Sequence, residues 1–582
     1  MERDQELKET QDRIWKSSES LLDKVRKVYT LFSERLLNTE TNGLREKFEE
    51  IDLLRESWKS ELNLLNDRYT TVVSDSSQKY DIKPKKNVIV LGVNIPSDFL
   101  NTEYKNSLKY LELLPGVINI APEALIGCEN LRTVILSEGL DRIGFGVFSG
   151  CTSLENITLP EGLTTIEEEA FQGCTSLESI ILPRGLTTIG QRAFYKCTSL
   201  KNITLPDGLV TLGGGAFSKC TSLKNITLPD GLTRIGELAF EGCSSLQNIT
   251  LPRGLTTLQY GMFIDCKSLK NITLPDGLIN IEYEAFEGCS SLESINLPRG
   301  LTTIGQWAFY KCTSLKNITL PRGITTLEEG VFMDCTSLKN ITLPDGLTTI
   351  SSFTFRGCES LKNITLPDGL VTIGEFAFEG CSSLKNITLP EGLTTIEEEA
   401  FQGCTSLESI NLPERLTKIQ SHMFNGCTSL KNITLPEGLT IIENAAFRGC
   451  ESLENVILPD KLKTIDRQAF GFCTSLRNIN IPMSVEYMGK EVFYDCPNLK
   501  ITVDVVIDND FGLRIPRVWS RILELFPYMT LKEQEQILIN TVDTLQVRSF
   551  VKLNKYDKAI VEQGLWGTSL WTVLRLKRKD YM

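Results

Sequence analysis

The chain has 582 residues, of which 41% are hydrophobic and 23% are charged, a composition typical of a soluble globular protein. Its formal net charge of -13 argues against a general affinity for nucleic acid, because binding to phosphates needs an excess of lysine and arginine. No stretch approaches the roughly 20 apolar residues of a membrane helix, so we expect no membrane insertion. The chain contains a single histidine, His422. Histidine is the residue that most often serves in acid–base and metal chemistry near neutral pH, so the sequence argues against such chemistry.

Residues 1–86 are predicted to form a separate helical domain. Apolar residues recur at heptad-like intervals from Leu7 to Val28, and a second such series follows the breaker NTETNG. This pattern predicts two amphipathic helices in an antiparallel hairpin. The hairpin either packs on itself or caps the following repeats, or residues 1–75 form a coiled coil that makes the protein a homo-oligomer. The first residues, MERDQELKET, lack the apolar core of a secretory signal, so a cytoplasmic location is expected.

The 17 cysteines define the next part of the chain, residues 87–504. They run from Cys128 to Cys496, and every interval between successive cysteines is 23 residues. Such strict spacing predicts one structural unit repeated along an axis. It argues against a disulfide framework and against a zinc site, because no CxxC pair is present. We expect the thiols to be reduced and buried as small apolar groups.

The unit that begins at Cys381 shows what each 23-residue coil contains. Counted from the cysteine, Leu384 is at +3, Ile387 at +6 and Leu389 at +8. The run KNITL alternates inward and outward, which predicts a short strand that ends at Pro390. The segment EEEAF, just before the next cysteine, predicts one helical turn. Each coil should therefore contribute one strand and a turn-rich return, and stacked coils should bury a continuous core.

These columns resemble the BspA-type (Treponema-like) leucine-rich repeat, whose unit reads C-x-x-L-x-x-I-x-L-P-x-x-L-x-x-I-x-x-x-A-F. The resemblance extends from about Gly116 to Lys500. It implies a leucine-rich-repeat solenoid that acts through protein–protein contact, since family members are known as bacterial surface adhesins and as large families in microbial eukaryotes. This chain departs from the adhesins because its sequence shows no export or anchoring signal.

Residues 505–582 are predicted to form a helical segment. The repeat pattern stops near Asp504, and the ranges 515–529 and 531–545 have the pattern of helices. This segment is either a cap over the last apolar coil or a small interaction module. The predicted fold class is therefore a repeat solenoid with helical N- and C-terminal flanking domains.

Outward positions of the predicted strand form the first candidate binding surface. Position +4 holds Lys or Arg in 11 of 17 coils, position +10 holds Asp or Glu in 11 of 16, and positions +5 and +7 are mostly Asn and Thr. These ladders are expected to line the concave face of the solenoid. Either the charged ladders pair with each other across the strand, or the face is a polar track for an extended partner. The candidate residues are Lys201, Asn202, Thr204, Lys224, Asn225, Thr227, Lys339, Asn340, Thr342, Lys362, Asn363 and Thr365.

Position +18, on the return side of the coil, is the most variable column and the second candidate surface. Its aromatic residues are Trp307, Phe353 and Phe376. Residues 157–180 and 387–410 are identical, and residues 185–206 and 300–321 differ only by Arg192 in place of Trp307, which indicates recent tandem duplication. The aromatic residues are either interface anchors or the product of drift at an unconstrained position.

The sequence contains no recognisable catalytic, phosphate-binding or metal-binding pattern. We therefore predict no catalytic residue, no cofactor and no metal. The expected function is that of a non-enzymatic scaffold that binds a protein partner. The alternative is a surface or secreted adhesin that is exported by a non-classical route.

Overall fold

The computed structural model describes residues 87–503 except positions 93, 98, 101, 115 and 483, together with strands at 70–74, 506–508 and 512–514. These residues fall into two compact units. Unit 1 comprises residues up to 278 and 285–291, and unit 2 comprises 279–284 and residues from 292 onward. The predicted N-terminal hairpin up to residue 69 and the predicted helices after residue 514 lie outside the described residues.

The predicted strand at +5 to +7 is present in successive coils, and neighbouring strands pair in parallel. The register is one whole coil, so that Asn202 lies opposite Asn225 and Asn386 lies opposite Ser409. Identical columns therefore stack on one another, with the Ile at +6 buried between an exposed Asn and an exposed Thr. The strands of this first sheet layer are β1 (Thr70–Ser74), β2 (Asn87–Gly92), β4 (Tyr110–Leu113), β6 (Thr133–Ile135), β8 (Asn156–Thr158), β10 (Ser179–Ile181), β12 (Asn202–Thr204), β14 (Asn225–Thr227), β16 (Asn248–Thr250), β18 (Asn271–Thr273), β21 (Asn317–Thr319), β23 (Asn340–Thr342), β25 (Asn363–Thr365), β27 (Asn386–Thr388), β29 (Ser409–Asn411), β31 (Asn432–Thr434), β33 (Asn455–Val456), β35 (Asn478–Ile481) and β37 (Lys500–Val503).

A second strand in each coil was not predicted. It covers two residues at +14 and +15, an outward residue that is most often Thr and a buried Ile or Leu, and it also pairs in parallel with its copy in the next coil. The prediction of one strand per coil is therefore wrong, and each coil contributes to two sheet layers. The strands of the second layer are β3 (Asn94–Ile95), β5 (Asn119–Ile120), β7 (Arg142–Ile143), β9 (Thr165–Ile166), β11 (Thr188–Ile189), β13 (Thr211–Leu212), β15 (Arg234–Ile235), β17 (Thr257–Leu258), β19 (Asn280–Ile281), β20 (Thr303–Ile304), β22 (Thr326–Leu327), β24 (Thr349–Ile350), β26 (Thr372–Ile373), β28 (Thr395–Ile396), β30 (Lys418–Ile419), β32 (Ile441–Ile442), β34 (Thr464–Ile465) and β36 (Tyr487–Met488).

The return segment forms turns instead of the predicted helical turn. In the coil of Cys381, the backbone of Glu399 has φ 56°, which is left-handed and interrupts a right-handed helix. The residue at +18 has a positive φ in coil after coil, and so does the residue just before each cysteine. Hydrogen bonds from one coil to the next hold these turns, as Phe378 N–H donates to Ala400 O at 2.8 Å. Among the described residues the one α-helix is α1 (Thr102–Ser107).

The core of each unit is a stack of identical columns. The Phe residues at +20 are fully buried, and their rings lie parallel one coil apart, with centroids 5.2 Å apart for Phe171 and Phe194 and 5.4 Å apart for Phe378 and Phe401. Leucines at +3 and +12 are also fully buried in most coils. One coil has no interior of its own, so burial of these columns depends on the neighbouring coils.

Both flanks of the repeats contain short strands. Thr70–Ser74 pairs in parallel with Asn87–Gly92, so the helical prediction for residues 1–86 does not hold at these five residues. β38 (Val506–Asp508) and β39 (Gly512–Arg514) form an antiparallel pair within the segment 505–582, ahead of the helices predicted from residue 515. The heptad analysis missed Thr70–Ser74 because TTVVS is too short to show a period of its own.

Candidate partner-binding surfaces

We define the polar ladder face as the outward residues at +4, +5 and +7 of the first sheet layer. All twelve candidate residues on this face are exposed. In unit 1, Asn202 and Thr204 lie directly beside Asn225 and Thr227 of the next coil, as the sequence predicts. In unit 2, Asn340 and Thr342 occupy the same positions of their strand, where they face solvent on either side of a buried Ile.

Asparagine side chains on the polar ladder face bond to one another along the stack. The amide nitrogen of Asn271 donates to the amide oxygen of Asn248 at 2.9 Å, and that of Asn340 donates to Asn317 at 2.8 Å. Each bond joins two asparagine side chains that occupy the same repeat position in adjacent coils. These bonds restrain two pairs of asparagine side chains on the face.

Ion pairs in the +4 column join residues of adjacent coils. Lys201 Nζ lies 2.8 Å from Glu178 Oε2, and Lys316 Nζ lies 2.6 Å from Glu293 Oε2, so each pair joins +4 residues of adjacent coils. The sequence had suggested pairing across the strand between +4 and +10. Within the described residues, Lys224, Lys339 and Lys362 take part in no ion pair. Their ammonium groups remain available to a partner.

The +10 column of unit 2 is acidic over consecutive coils. The residues follow the end of the first-layer strand and are exposed: Asp345, Asp368, Glu391, Glu414, Glu437 and Asp460. The backbone N–H of Glu437 donates to the carboxylate of Glu414 at 3.3 Å. Unit 2 thus presents a line of lysines and a line of carboxylates that flank the Asn and Thr ladders.

The structure brings together two of the three aromatic residues predicted at +18. The rings of Phe353 and Phe376 stack with centroids 4.8 Å apart and an interplanar angle of 6°. Trp307 lies two coils before Phe353, and its indole occupies the space above Gly330, where a Cβ would overlap the ring. All three aromatic side chains are half-buried.

The cysteines are buried throughout both units and form no disulfide. The thiol of Cys381 donates to Phe355 O at 3.2 Å, a carbonyl that also accepts the N–H of Cys358 at 3.1 Å. Burial raises the pKa of Cys197 and Cys427 to about 12, so these thiols stay protonated at neutral pH. They are structural hydrogen-bond donors, which the sequence had indicated only as small apolar residues.

His422 is half-buried between two amides. Its Nδ1 lies 3.3 Å from Asn425 Nδ2, and its Nε2 lies 3.2 Å from Asn444 Nδ2. The residues that the structure describes contain no group of three or more His, Cys, Asp or Glu side chains placed to hold a metal ion. No helix among those same residues is long and apolar enough to cross a membrane.

A family model for the BspA-type leucine-rich-repeat region matches this chain in six copies, over residues 101–224, 166–292, 210–339, 327–451 and 394–505. The chain belongs to the BspA-type leucine-rich-repeat family. The resemblance drawn from the cysteine and leucine columns is thereby confirmed, and the repeats are those of a leucine-rich-repeat β-solenoid of about 17 turns. Proteins with such repeats are generally not enzymes.

Among solved structures, a leucine-rich-repeat protein from Bacteroides ovatus is 33% identical to this BspA-type chain. That match covers 60% of this chain and 88% of the other, with a TM-score of 0.51. A leucine-rich cell surface protein from Faecalibacterium prausnitzii is 32% identical, covering 56% of this chain and 83% of the other, with a TM-score of 0.36. A search of curated proteins finds no match.

Proposed function

We propose that this BspA-type protein is a non-enzymatic cytoplasmic scaffold that binds a protein partner through the polar ladder face. The observation that carries the proposal is the repetition of exposed Lys, Asn and Thr in adjacent coils, with lysines such as Lys339 and Lys362 outside any ion pair of the described residues. A surface of this kind offers the same donors at intervals of roughly 4.8 Å, the spacing of neighbouring strands.

An extended segment of a partner is the occupant that this spacing favours. The backbone of the face is held in a sheet, and asparagines such as Asn340 and Asn317 are hydrogen-bonded to each other, so binding orders fewer groups than on an unstructured surface. Single polar contacts on a surface are weak, and affinity comes from their number. The lysine column favours carboxylates on the partner, which would also steer its approach.

Charge reversal on the polar ladder face tests this proposal. The double variant Lys339→Glu and Lys362→Glu is compared with a control, Arg415→Glu and Lys461→Glu, which makes the same change of net charge at exposed turn positions. The measurement is quantitative affinity purification of partners from the native cell, with the full chain as bait. We expect the ladder variant to lose partners by about tenfold, which corresponds to about 1.4 kcal/mol, and the control to retain them. Equal recovery from both variants would contradict the proposal.

A surface or secreted adhesin is the alternative, and membership of the BspA-type family favours it. Labelling of intact cells with a reagent that does not cross membranes distinguishes the two functions. A labelled chain supports the adhesin, whereas a chain labelled only after lysis supports the scaffold. The structure describes only Thr70–Ser74 of residues 1–75. Oligomerisation through residues 1–75 therefore stays a prediction, and light scattering of the full chain tests it.

A further inference from the structure

The aromatic column is defined as Trp307, Phe353 and Phe376, at position +18 of unit 2. Phe353 and Phe376 form a parallel stack of two rings, and the indole of Trp307 covers the backbone of Gly330 in the coil between Trp307 and Phe353. Three of four consecutive coils therefore place a half-buried aromatic side chain on the return side. The polar ladder face lies on a different segment of each coil, so the two surfaces are separate.

Local backbone preference does not account for these aromatic residues. Their φ angles are 53°, 59° and 56°, a left-handed conformation that bulky residues avoid and that Gly146, Gly215 and Gly261 adopt at the same position of other coils. Residues 185–206 and 300–321 are copies whose one difference is Arg192 against Trp307. The two copies thus differ only at position +18, where one carries arginine and the other tryptophan.

The backbone of each residue in the aromatic column is hydrogen-bonded to that of a glutamate. The backbone N–H groups of Trp307, Phe353 and Phe376 donate to the carbonyls of glutamates in the next coil at 2.9, 2.8 and 3.0 Å. These glutamates are Glu329, Glu375 and Glu398, of which the last two are exposed and the first is half-buried. Each aromatic residue is therefore joined through its backbone to an acidic residue of the next coil, and two of the three acidic side chains are exposed.

The column already holds a cation of its own. The guanidinium of Arg356 lies 5.8 Å from the centroid of the Phe353 ring, and Glu379 neutralises it in an ion pair. Close to Trp307, Lys311 Nζ lies 4.5 Å from the centroid of the Tyr310 ring. These contacts show that the geometry of the return side brings cationic groups to ring faces. Because Glu379 neutralises Arg356, the charges of Glu329, Glu375 and Glu398 are not cancelled by that arginine.

We propose that the aromatic column and its glutamates bind a lysine- or arginine-rich segment of a protein partner. Cationic side chains would contact the rings through cation–π attraction, and the carboxylates of Glu375 and Glu398 would supply the counter-charge. An anionic segment is disfavoured here, although the polar ladder face favours one. The protein would then hold oppositely charged segments on two surfaces, and this second surface does not depend on the first.

Leucine substitutions isolate the contribution of the rings. Leu238 occupies position +18 in unit 1 with φ 55°, so leucine is compatible with the turn. The triple variant Trp307→Leu, Phe353→Leu and Phe376→Leu keeps every charge and an apolar side chain, and removes only the ring faces. Each exposed cation–π contact contributes about two- to fivefold in affinity, so we expect the triple variant to bind a cationic probe at least about tenfold more weakly.

The probe is a fluorescent peptide of alternating lysine and glycine, titrated into the full chain and followed by anisotropy. A peptide with glutamate in place of lysine should not bind at this surface. The neutral variant Glu375→Gln with Glu398→Gln should also weaken binding, and raised salt should do the same. Circular dichroism confirms that each variant is folded. Equal affinity of the parent and the triple leucine variant for the lysine peptide would overturn the proposal, because attraction by net charge alone would then explain the binding.

Discussion

Removal of one ring from the phenylalanine stack should weaken the repeats locally. Phe401 is fully buried, and its ring lies 5.4 Å from that of Phe378 and 5.6 Å from that of Phe424, measured between centroids. Replacing a buried phenylalanine by alanine removes apolar contact and leaves a cavity, which costs about 3–5 kcal/mol. Because each coil contacts only its neighbours, we expect this loss to be concentrated in the coils on either side of Phe401.

Hydrogen exchange followed by mass spectrometry measures this effect coil by coil. In Phe401→Ala, amides of the adjacent coils should exchange about a hundred- to a few-thousandfold faster where exchange proceeds by local opening. Phe401→Leu should cause a smaller increase, since leucine fills more of the space. Phe171 lies in an identical 24-residue string, residues 157–180, and Phe171→Ala should reproduce the effect within unit 1. An unchanged pattern in Phe401→Ala, or a uniform increase over the whole unit, would refute the nearest-neighbour reasoning.

Three further predictions follow from buried or strained groups. The pKa of Cys427 is about 12, so roughly one thiol in ten thousand is ionised at about pH 8. Alkylation of Cys427 should therefore be negligible until denaturant unfolds the chain. Rapid labelling of the native protein would contradict this. Gly426 has a φ of +75°, so Gly426→Ala should lower the free energy of unfolding by about 1 kcal/mol. Gly369 has a φ outside the left-handed region, so the control Gly369→Ala should change that free energy little. Thermal unfolding of the two variants measures the difference. Burial raises the pKa of Glu399, so its contribution to stability is present when the carboxyl is protonated and is lost as pH rises through the folded-state pKa. The Tm of Glu399→Gln should therefore rise relative to that of the parent as pH increases from about pH 4 through the folded-state pKa, and a constant difference in Tm would argue against it.

The period, the first strand and the buried columns were predictable from the sequence. A cysteine every 23 residues sets the length of the coil, and the alternation in KNITL assigns Ile387 to the interior and Asn386 and Thr388 to solvent, as the structure has them. The exposed candidates of the polar ladder face follow from the same alternation. Repetition strengthened each inference, because a pattern that recurs in every coil cannot arise from one accidental segment.

The second sheet layer and the turns were not predictable by the same reasoning. A strand of two residues, such as Thr395–Ile396, is too short to show an alternation. The string EEEAF has good helix formers, yet Glu399 takes a left-handed φ because hydrogen bonds between coils fix the turn. A signal was nevertheless present, since Gly146, Gly215 and Gly330 share the column with Glu399, and glycine at one repeated position marks a positive φ.

Pairing along the +4 column was also missed, for a reason of geometry. The sequence places +4 and +10 near each other in the chain, whereas the stack brings each +4 residue next to the +4 residue one coil away. Lys201 therefore meets Glu178, which is 23 residues distant in sequence. Within the +4 column, side-chain partners are read along the stack, and a charge pairs where the adjacent coil carries the opposite sign.

Site-specific photo-crosslinking tests the binding role of the polar ladder face most directly. A photoreactive amino acid is placed at Asn363 on that face or at Val371, which directly precedes the second-layer strand β26; both are exposed positions of one coil. Irradiation in the native cell should crosslink a protein partner from Asn363 and not from Val371. Crosslinks from Val371 alone, or equal crosslinks from both positions, would contradict the account, because the partner would then not be held on the polar ladder face.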